Sequence, residues 1–138
     1  MCMSKCREKF CNLGTKQYFL LGARLAFGLW LGYVGTMKWI GGSNHFIGYI
    51  QTAFAATWLP SQLVLATGWI IICAEPILGL WLLTGKCGRC AWTCTALLMF
   101  MLTFGQTVLQ DHATVVNNWH YFIFALACAA LADNKECA

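Results

Sequence analysis

Charged side chains are scarce in this sequence of 138 residues: they account for 10% of it, and only five of them are acidic. An ordinary soluble globular domain carries about 25% charged residues, so this shortage excludes that class of protein. Hydrophobic residues make up 59% of the chain instead, and the mean hydropathy is +0.62. The composition therefore predicts an integral membrane protein whose main surroundings are the lipid bilayer.

The sequence also lacks the motifs of common soluble enzymes. It contains no P-loop, no Gly-rich dinucleotide fingerprint, no nucleophile elbow and no zinc-protease motif. Its net charge of +4 is concentrated near the start and in short loops, which we interpret as a signal of membrane topology and not of nucleic-acid binding. Any catalysis would depend on a lipid-soluble cofactor, a metal or another subunit.

Four apolar runs are long enough to cross a bilayer as helices, which requires about 20 residues each. The predicted spans are residues 17–40, 63–85, 88–109 and 115–132, and residues 1–16 form a cytoplasmic N-terminal tail. The apolar region of a cleaved signal peptide would be shorter than the first run, which also contains Arg24, so we expect a retained span. The chain is predicted to be a single membrane domain.

Residues 43–62 connect the first two spans and show a weaker apolar pattern. Ile47, Ile50 and Phe54 recur at helical spacing, and Trp58 is a suitable anchor at a membrane interface. This pattern predicts a short amphipathic helix lying in the interface. The expected fold is all-α: an integral membrane four-helix bundle with a short interfacial helix between spans one and two.

Lysine and arginine predict the orientation of the bundle. The N-terminal tail carries four of them, the loop between spans two and three contains Lys86 and Arg89, and Lys135 lies in the C-terminal tail. Cytoplasmic loops are enriched in these residues. We therefore expect a multi-pass protein of the cytoplasmic membrane with both termini on the cytoplasmic side.

Glu75 lies near the middle of the second span and is followed directly by Pro76. A carboxylate at that depth is costly unless it is neutral or paired. Counted from the loops at about 1.5 Å per residue, Arg24 of span one falls at nearly the same depth. The sequence predicts an intramembrane Arg24–Glu75 ion pair. It leaves open whether that pair only joins two helices or also contacts a substrate or proton.

Three further polar groups are expected under the outer face of the membrane: Lys38, Gln106 and His120. Quinone carbonyls accept hydrogen bonds from such groups, so we predict that these residues line a quinone-binding pocket. His120 is the one histidine clearly placed on a span, whereas a bis-histidine haem needs ligands on two facing helices. A haem is therefore not expected.

Cysteine is abundant, with nine residues in the chain. Cys87, Cys90 and Cys94 are spaced to share one face at the start of span three, and Cys6 and Cys11 belong to a second cluster in the N-terminal tail. Thiolate ligands favour Zn, Cu(I) or an Fe–S cluster. These five cysteines form a candidate metal or redox site; the alternative is that they are unligated reduced thiols or make subunit contacts.

Two patterns of small and polar residues are specific in order and spacing. They are Arg24-x3-Gly28-x6-Gly35-x2-Lys38-Trp39 and Glu75-x3-Gly79-Leu80-x-Leu82-Leu83-x-Gly85. Together they resemble the DoxX/DoxD-like family of small four-span membrane proteins, and the resemblance covers residues 23–132. It implies a four-helix bundle in the cytoplasmic membrane that accompanies redox systems; the DoxD branch is a subunit of a thiosulfate:quinone oxidoreductase. The cysteine clusters depart from the family pattern.

The function predicted from these features is that of a redox-associated integral membrane subunit. It would be linked to quinone or sulfur-compound electron transfer, as at most a subunit of a quinone-linked oxidoreductase, and would associate with other membrane subunits or with itself. One alternative is a non-catalytic accessory subunit of a larger membrane complex. A weaker alternative is a small carrier of protons or sulfur oxyanions.

Overall fold

The computed structural model describes residues 14–132, which form five helices and contain no strand. The helices are α1 (Thr15–Ile40), α2 (Ser43–Phe54), α3 (Ser61–Thr84), α4 (Gly88–Val108) and α5 (His112–Leu131). Four of them, α1, α3, α4 and α5, are long and apolar enough to cross a membrane. The predicted all-α membrane bundle with a short helix between its first two spans is confirmed. Parts of the predicted tail that precede residue 14 lie outside the described residues.

Glycine and an acidic cap mark the ends of several helices. Gly42 between α1 and α2 has a φ of 93°, and Gly85 after α3 has a φ of 72°. L side chains rarely adopt these conformations, so glycine suits both turns. Asp111 precedes α5, and its carboxylate accepts hydrogen bonds from the backbone N–H and the hydroxyl of Thr114.

Glycines allow α1 and α3 to pack at close range. A Cβ atom added at Gly79 of α3 would lie 2.5 Å from the backbone nitrogen of Gly32, and one added at Gly35 of α1 would lie 2.5 Å from Cδ of Pro76. Small residues at helix interfaces permit this approach in membrane proteins, where van der Waals packing drives association. The α1–α3 contact therefore depends on glycine at these positions.

The two helices run antiparallel and are staggered along their axes. Gly35, near the end of α1, contacts Pro76, and Arg24 lies beside Gly85 just after α3. The first ten or so residues of α1 therefore extend about 15 Å past the end of α3. The end of the bundle at which α1 begins and α5 ends is called the terminal end. The opposite end, where α2 lies, is called the loop end.

Helix α2 covers the part of α3 that α1 leaves free at the loop end. Ile47 is buried, and the side chains of Ile47 and Ile50 lie against Gly68 of α3. The ring of Phe54 approaches Gly105 of α4. The short helix is thus packed against the bundle through the apolar positions that predicted it.

Helices α4 and α5 form the second closely packed pair, and aromatic rings fill part of the space between the two pairs. Phe27 of α1 stacks on Phe124 of α5 at 5.3 Å between ring centroids and meets Trp92 of α4 edge-on at 5.6 Å. Trp30 and Tyr121 extend this cluster toward the loop end, with their centroids 4.9 Å apart. On the loop-end side of these rings, a cavity lies between the two helix pairs.

Candidate functional site

A buried ion pair joins α1 to α3. Nζ of Lys38 lies 2.6 Å from one carboxylate oxygen of Glu75 and 2.7 Å from the other. The Glu75 side chain is 3% exposed and that of Lys38 is 20% exposed. The ammonium also lies 4.4 Å from the ring centroid of Phe46 on α2, within the range of a cation–π contact. Charge neutralisation by Lys38 is what makes the carboxylate tolerable inside the bundle.

This pairing corrects the predicted Arg24–Glu75 pair. The guanidinium of Arg24 lies beside Gly85, since a Cβ atom there would be 3.2 Å from its Nη1. Gly85 follows Glu75 by ten residues, which corresponds to about 15 Å along α3. The prediction assumed that the first two spans are level in the membrane, whereas their stagger moves Lys38, not Arg24, to the depth of Glu75.

A cavity of about 410 Å³ lies next to the ion pair in the loop-end half of the bundle. It occupies the space between the two helix pairs and is walled on one side by α2. Most of its lining is aliphatic and aromatic. The polar side chains that line it are Lys38, Tyr49, Thr67, Glu75, Gln106 and Asn118. The cavity therefore combines an apolar wall with a charged pair and a few hydrogen-bonding groups, as ligand sites in proteins commonly do.

Two of the three residues predicted to bind a ligand line this cavity, Lys38 and Gln106. His120 is not among its lining residues; its side chain is exposed, and Nδ1 lies 2.7 Å from the carbonyl oxygen of Val116 on the same helix. Asn118 takes the position on α5 that was expected for His120. An amide within an apolar span was the signal that could have identified it.

A second, more open depression of about 500 Å³ lies between α1 and α2. Its lining includes Tyr33, Met37 and His45, and the residues that it shares with the first cavity are Val34, Lys38, Phe46 and Tyr49. Lys38 thus lies between the two spaces, with Glu75 lining only the first.

The cysteines predicted to bind metal are only partly described. Between residues 14 and 132, no three His, Cys, Asp or Glu side chains lie close enough together to hold a metal ion. Cys87, Cys90 and Cys94 are free thiols. Cys6 and Cys11 lie outside the described residues, so a metal site shared by the two clusters stays a prediction.

The chemistry available at the cavity follows from its donors. A lysine ammonium has three N–H donors, and two of those of Lys38 are directed at the Glu75 carboxylate. Glu75 thus engages two of the three donors of Lys38, and the side-chain amides of Gln106 and Asn118 line the same cavity. The site can therefore orient a largely apolar ligand that carries carbonyl acceptors.

Comparison with protein-family models gives a match to the family described as methylamine utilisation protein MauE, over residues 16–117. The comparisons with curated proteins and with solved structures give no significant match. The matching family is not the DoxX/DoxD-like family that the polar patterns resemble, but it too consists of multi-pass membrane proteins associated with redox processes. The match covers α1 to α4 and the start of α5, and the chain therefore belongs to the MauE family.

Proposed function

We propose that this protein is a quinone-binding membrane subunit of a redox system, with the quinone headgroup held in the 410 Å³ cavity. The observation that carries this proposal is the Lys38–Glu75 pair, a buried charged group at the edge of a mainly apolar cavity. Intramembrane ionisable residues of this kind commonly mark substrate or proton sites. Membership of a redox-associated membrane family supports the same class of function.

A quinone headgroup matches the chemical character of the cavity. It is a flat apolar ring with carbonyl oxygens that accept hydrogen bonds, and its isoprenoid tail is soluble in lipid. The third N–H of Lys38 and the amide of Gln106 would donate to those oxygens. Reduction to the quinol takes up two electrons and two protons; a partner redox protein would supply the electrons, and Glu75 and Lys38 are the titratable groups at the site.

The charge of the site distinguishes a quinone from the other ligands considered. A sulfur oxyanion such as thiosulfate carries two negative charges and requires uncompensated cations. Lys38 is already neutralised by Glu75, and no other lysine or arginine lines the cavity among the residues described. The cavity consequently favours a neutral ligand over a sulfur oxyanion, whether as a substrate or as a transported ion.

We propose that both termini of the protein lie on the cytoplasmic side, an orientation that the distribution of lysine and arginine supports. The loop end then faces away from the cytoplasm, and the cavity lies in the outer half of the bilayer. Reduction of the quinone at this position would draw its protons from groups near the outer surface. Reactivity of loop-end and terminal-end cysteines introduced for labelling would establish this orientation.

A direct test measures binding of a short-chain quinone to the purified protein in lipid nanodiscs. Gln106→Leu removes one donor, which corresponds to about 0.5–1.5 kcal/mol and hence roughly a twofold to twelvefold weaker affinity. Ala53→Phe places a ring in the cavity and should abolish saturable binding. Gln51→Leu is the matched control, because Gln51 is exposed on α2 and does not line the cavity.

Equal affinities in all three variants would contradict the proposal, as would the absence of saturable quinone binding to the unaltered protein. A protein that carries no quinone but always purifies with the same membrane partner would instead support the accessory-subunit function.

A further inference from the structure

Two cysteines lie within the first turn of α4, at the terminal end of the bundle. Cys87 is the residue before the helix, and Cys90 follows three positions later. The carbonyl of Cys87 accepts a hydrogen bond from the backbone N–H of Ala91 at 3.0 Å, as expected of an N-cap residue. Cys87 itself has a φ of 49°, in the left-handed region, so the regular side-chain spacing of a helix does not extend to it. The two cysteines form a C-x2-C motif at the start of a helix, an arrangement that redox-active disulfides use, and a disulfide requires their Cβ atoms to come within about 3.5–4.5 Å of each other.

We propose that Cys87 and Cys90 form a reversible dithiol–disulfide pair that exchanges electrons with a disulfide or dithiol of a partner protein. This dithiol pair would function independently of the quinone site. From Cys90 to Met99, which lines the cavity, is about 14 Å along α4. The two sites therefore do not share a reaction centre.

Access and charge at this turn suit exchange with another protein. Cys90 is exposed and Cys87 is half-buried, and both are free thiols. Lys86 and Arg89 are exposed beside them, so an acidic surface around the partner's redox cysteines would be attracted to this face. The indole N–H of Trp81 donates to the carbonyl of Lys86 at 3.0 Å and holds the turn in place.

The remaining described cysteines do not offer the same arrangement. Cys73 is exposed but has no second cysteine near it in sequence, and Cys128 is fully buried. Cys94 lies one turn further along α4 and packs against the hydrophobic core. Among residues 14–132, Cys87 and Cys90 are thus the pair that combines proximity with exposure.

The exchange balances as a two-electron step. The thiolate of the more exposed Cys90 attacks one sulfur of the partner disulfide and forms a mixed disulfide, releasing the first partner sulfur as a thiolate. The thiolate of Cys87 then attacks Cys90, which releases the second partner sulfur and leaves a Cys87–Cys90 disulfide. The partner gains two electrons and two protons and becomes a dithiol. The reverse sequence restores the Cys87 and Cys90 thiols.

The test equilibrates the complete protein in native membranes with glutathione buffers of defined potential, alkylates the free thiols and identifies the disulfide by mass spectrometry. Trypsin cleaves after Lys86 and Arg89, so a Cys87–Cys90 disulfide links the tripeptide Cys87–Arg89 to the peptide that begins at Cys90. The expected result is that this linked pair forms in a single two-electron transition. Cys94→Ala should leave the transition unchanged, and Cys87→Ser should abolish it and accumulate mixed disulfides on Cys90.

Three results would overturn the proposal: a disulfide that joins Cys90 to Cys94 or to a cysteine outside residues 14–132, no disulfide at any potential, or loss of the transition in Cys94→Ala. Thermal unfolding of Cys87→Ser verifies that this variant is folded. Quinone binding by the same variant separates the two proposals, since we expect it to be unchanged.

Discussion

Gly35 of α1 lies directly against Pro76 of α3: a Cβ atom on Gly35 would be 2.5 Å from Cδ and 2.7 Å from the nitrogen of that proline. Three residues further along α1, Lys38 reaches the carboxylate of Glu75, the residue before Pro76. The proline ring has no backbone N–H and cannot move away without a change in the helix. The Gly35–Pro76 contact therefore fixes the axial register in which the ion pair forms.

We expect Gly35→Ala to destabilise the protein by about 1–3 kcal/mol, because the added methyl group meets rigid backbone and ring atoms instead of a flexible side chain. Gly22→Ala on the same helix is the control. A Cβ atom there meets nothing within 4 Å, so the higher helix propensity of alanine should leave the protein as stable or more stable. The unfolding midpoints of both variants in mild detergent provide the measurement. Equal midpoints would indicate that the contact can relax.

Removing the charge of Lys38 and removing that of Glu75 should lower the free energy of unfolding by different amounts. Lys38→Met leaves the nearly fully buried Glu75 without its partner and should cost about 3–5 kcal/mol. Glu75→Gln should cost less, because Lys38 is partly exposed and its ammonium can reach more polar surroundings. The double variant Lys38→Met with Glu75→Gln should restore most of the stability lost in Lys38→Met, because no uncompensated carboxylate then remains buried.

A double-mutant cycle of unfolding free energies measures this coupling. Additive losses in the double variant would show that the two side chains stabilise the bundle independently of each other, contrary to the ion pair described above.

Trp92 is fully buried among Phe27 and Phe124, where the two helix pairs meet. Trp92→Ala should lower the free energy of unfolding by about 3–5 kcal/mol, since it opens a cavity in the centre of the aromatic cluster. Trp58→Ala is the matched control, because this tryptophan is 77% exposed; its unfolding free energy in detergent should change by less than about 0.5 kcal/mol. Similar losses in the two variants would contradict the central position of Trp92.

The cap of α5 should make stability depend on pH in the acidic range. Hydrogen bonds from the side chain and then the backbone of Thr114 hold the pKa of Asp111 below its ordinary value of 3.8. A carboxyl whose pKa is lower in the folded state contributes stability above its unfolded pKa, and this contribution is lost as the pH falls through the folded pKa.

Asp111→Asn keeps a hydrogen-bond acceptor at the cap but does not titrate. We expect the difference in thermal midpoint between the unaltered protein and this variant to be constant from pH 7 to about pH 5 and to decrease below about pH 4. A difference that stays constant down to pH 2 would show that Asp111 does not contribute through its charge.

The membrane spans could be predicted closely from the sequence. Each helix that can span a membrane begins and ends within three residues of its predicted span, because about 20 apolar residues form a helix in lipid whatever their neighbours are. The short helix was also foreseen, and its apolar positions Ile47 and Ile50 do face the bundle. Local composition carries this information, so no tertiary contact is needed to obtain it.

The candidate site could be predicted only in part. Glu75, Lys38 and Gln106 were recognised as polar groups in an apolar chain, and all three line the cavity. His120 does not, because its position on α5 directs it away from the cavity, and Asn118 takes its place. Which face of a span is turned inward depends on its partners, and the pattern of a helix with apolar residues on every side does not specify that face.

Sequence alone determined that an acid is buried in the second span and that it needs a cationic partner, because the cost of a lone carboxylate in lipid is a local property. Which cation meets it was decided only by the tertiary structure. Arg24 and Lys38 are both cations on α1, and counting residues from the loops favours Arg24 on the assumption that the spans are level. The close contacts of Gly32 and Gly35 with Gly79 and Pro76 stagger the helices and bring Lys38 to Glu75. An ion pair depends on axial register to within a few ångströms, and that register is set by the packing of two helices together.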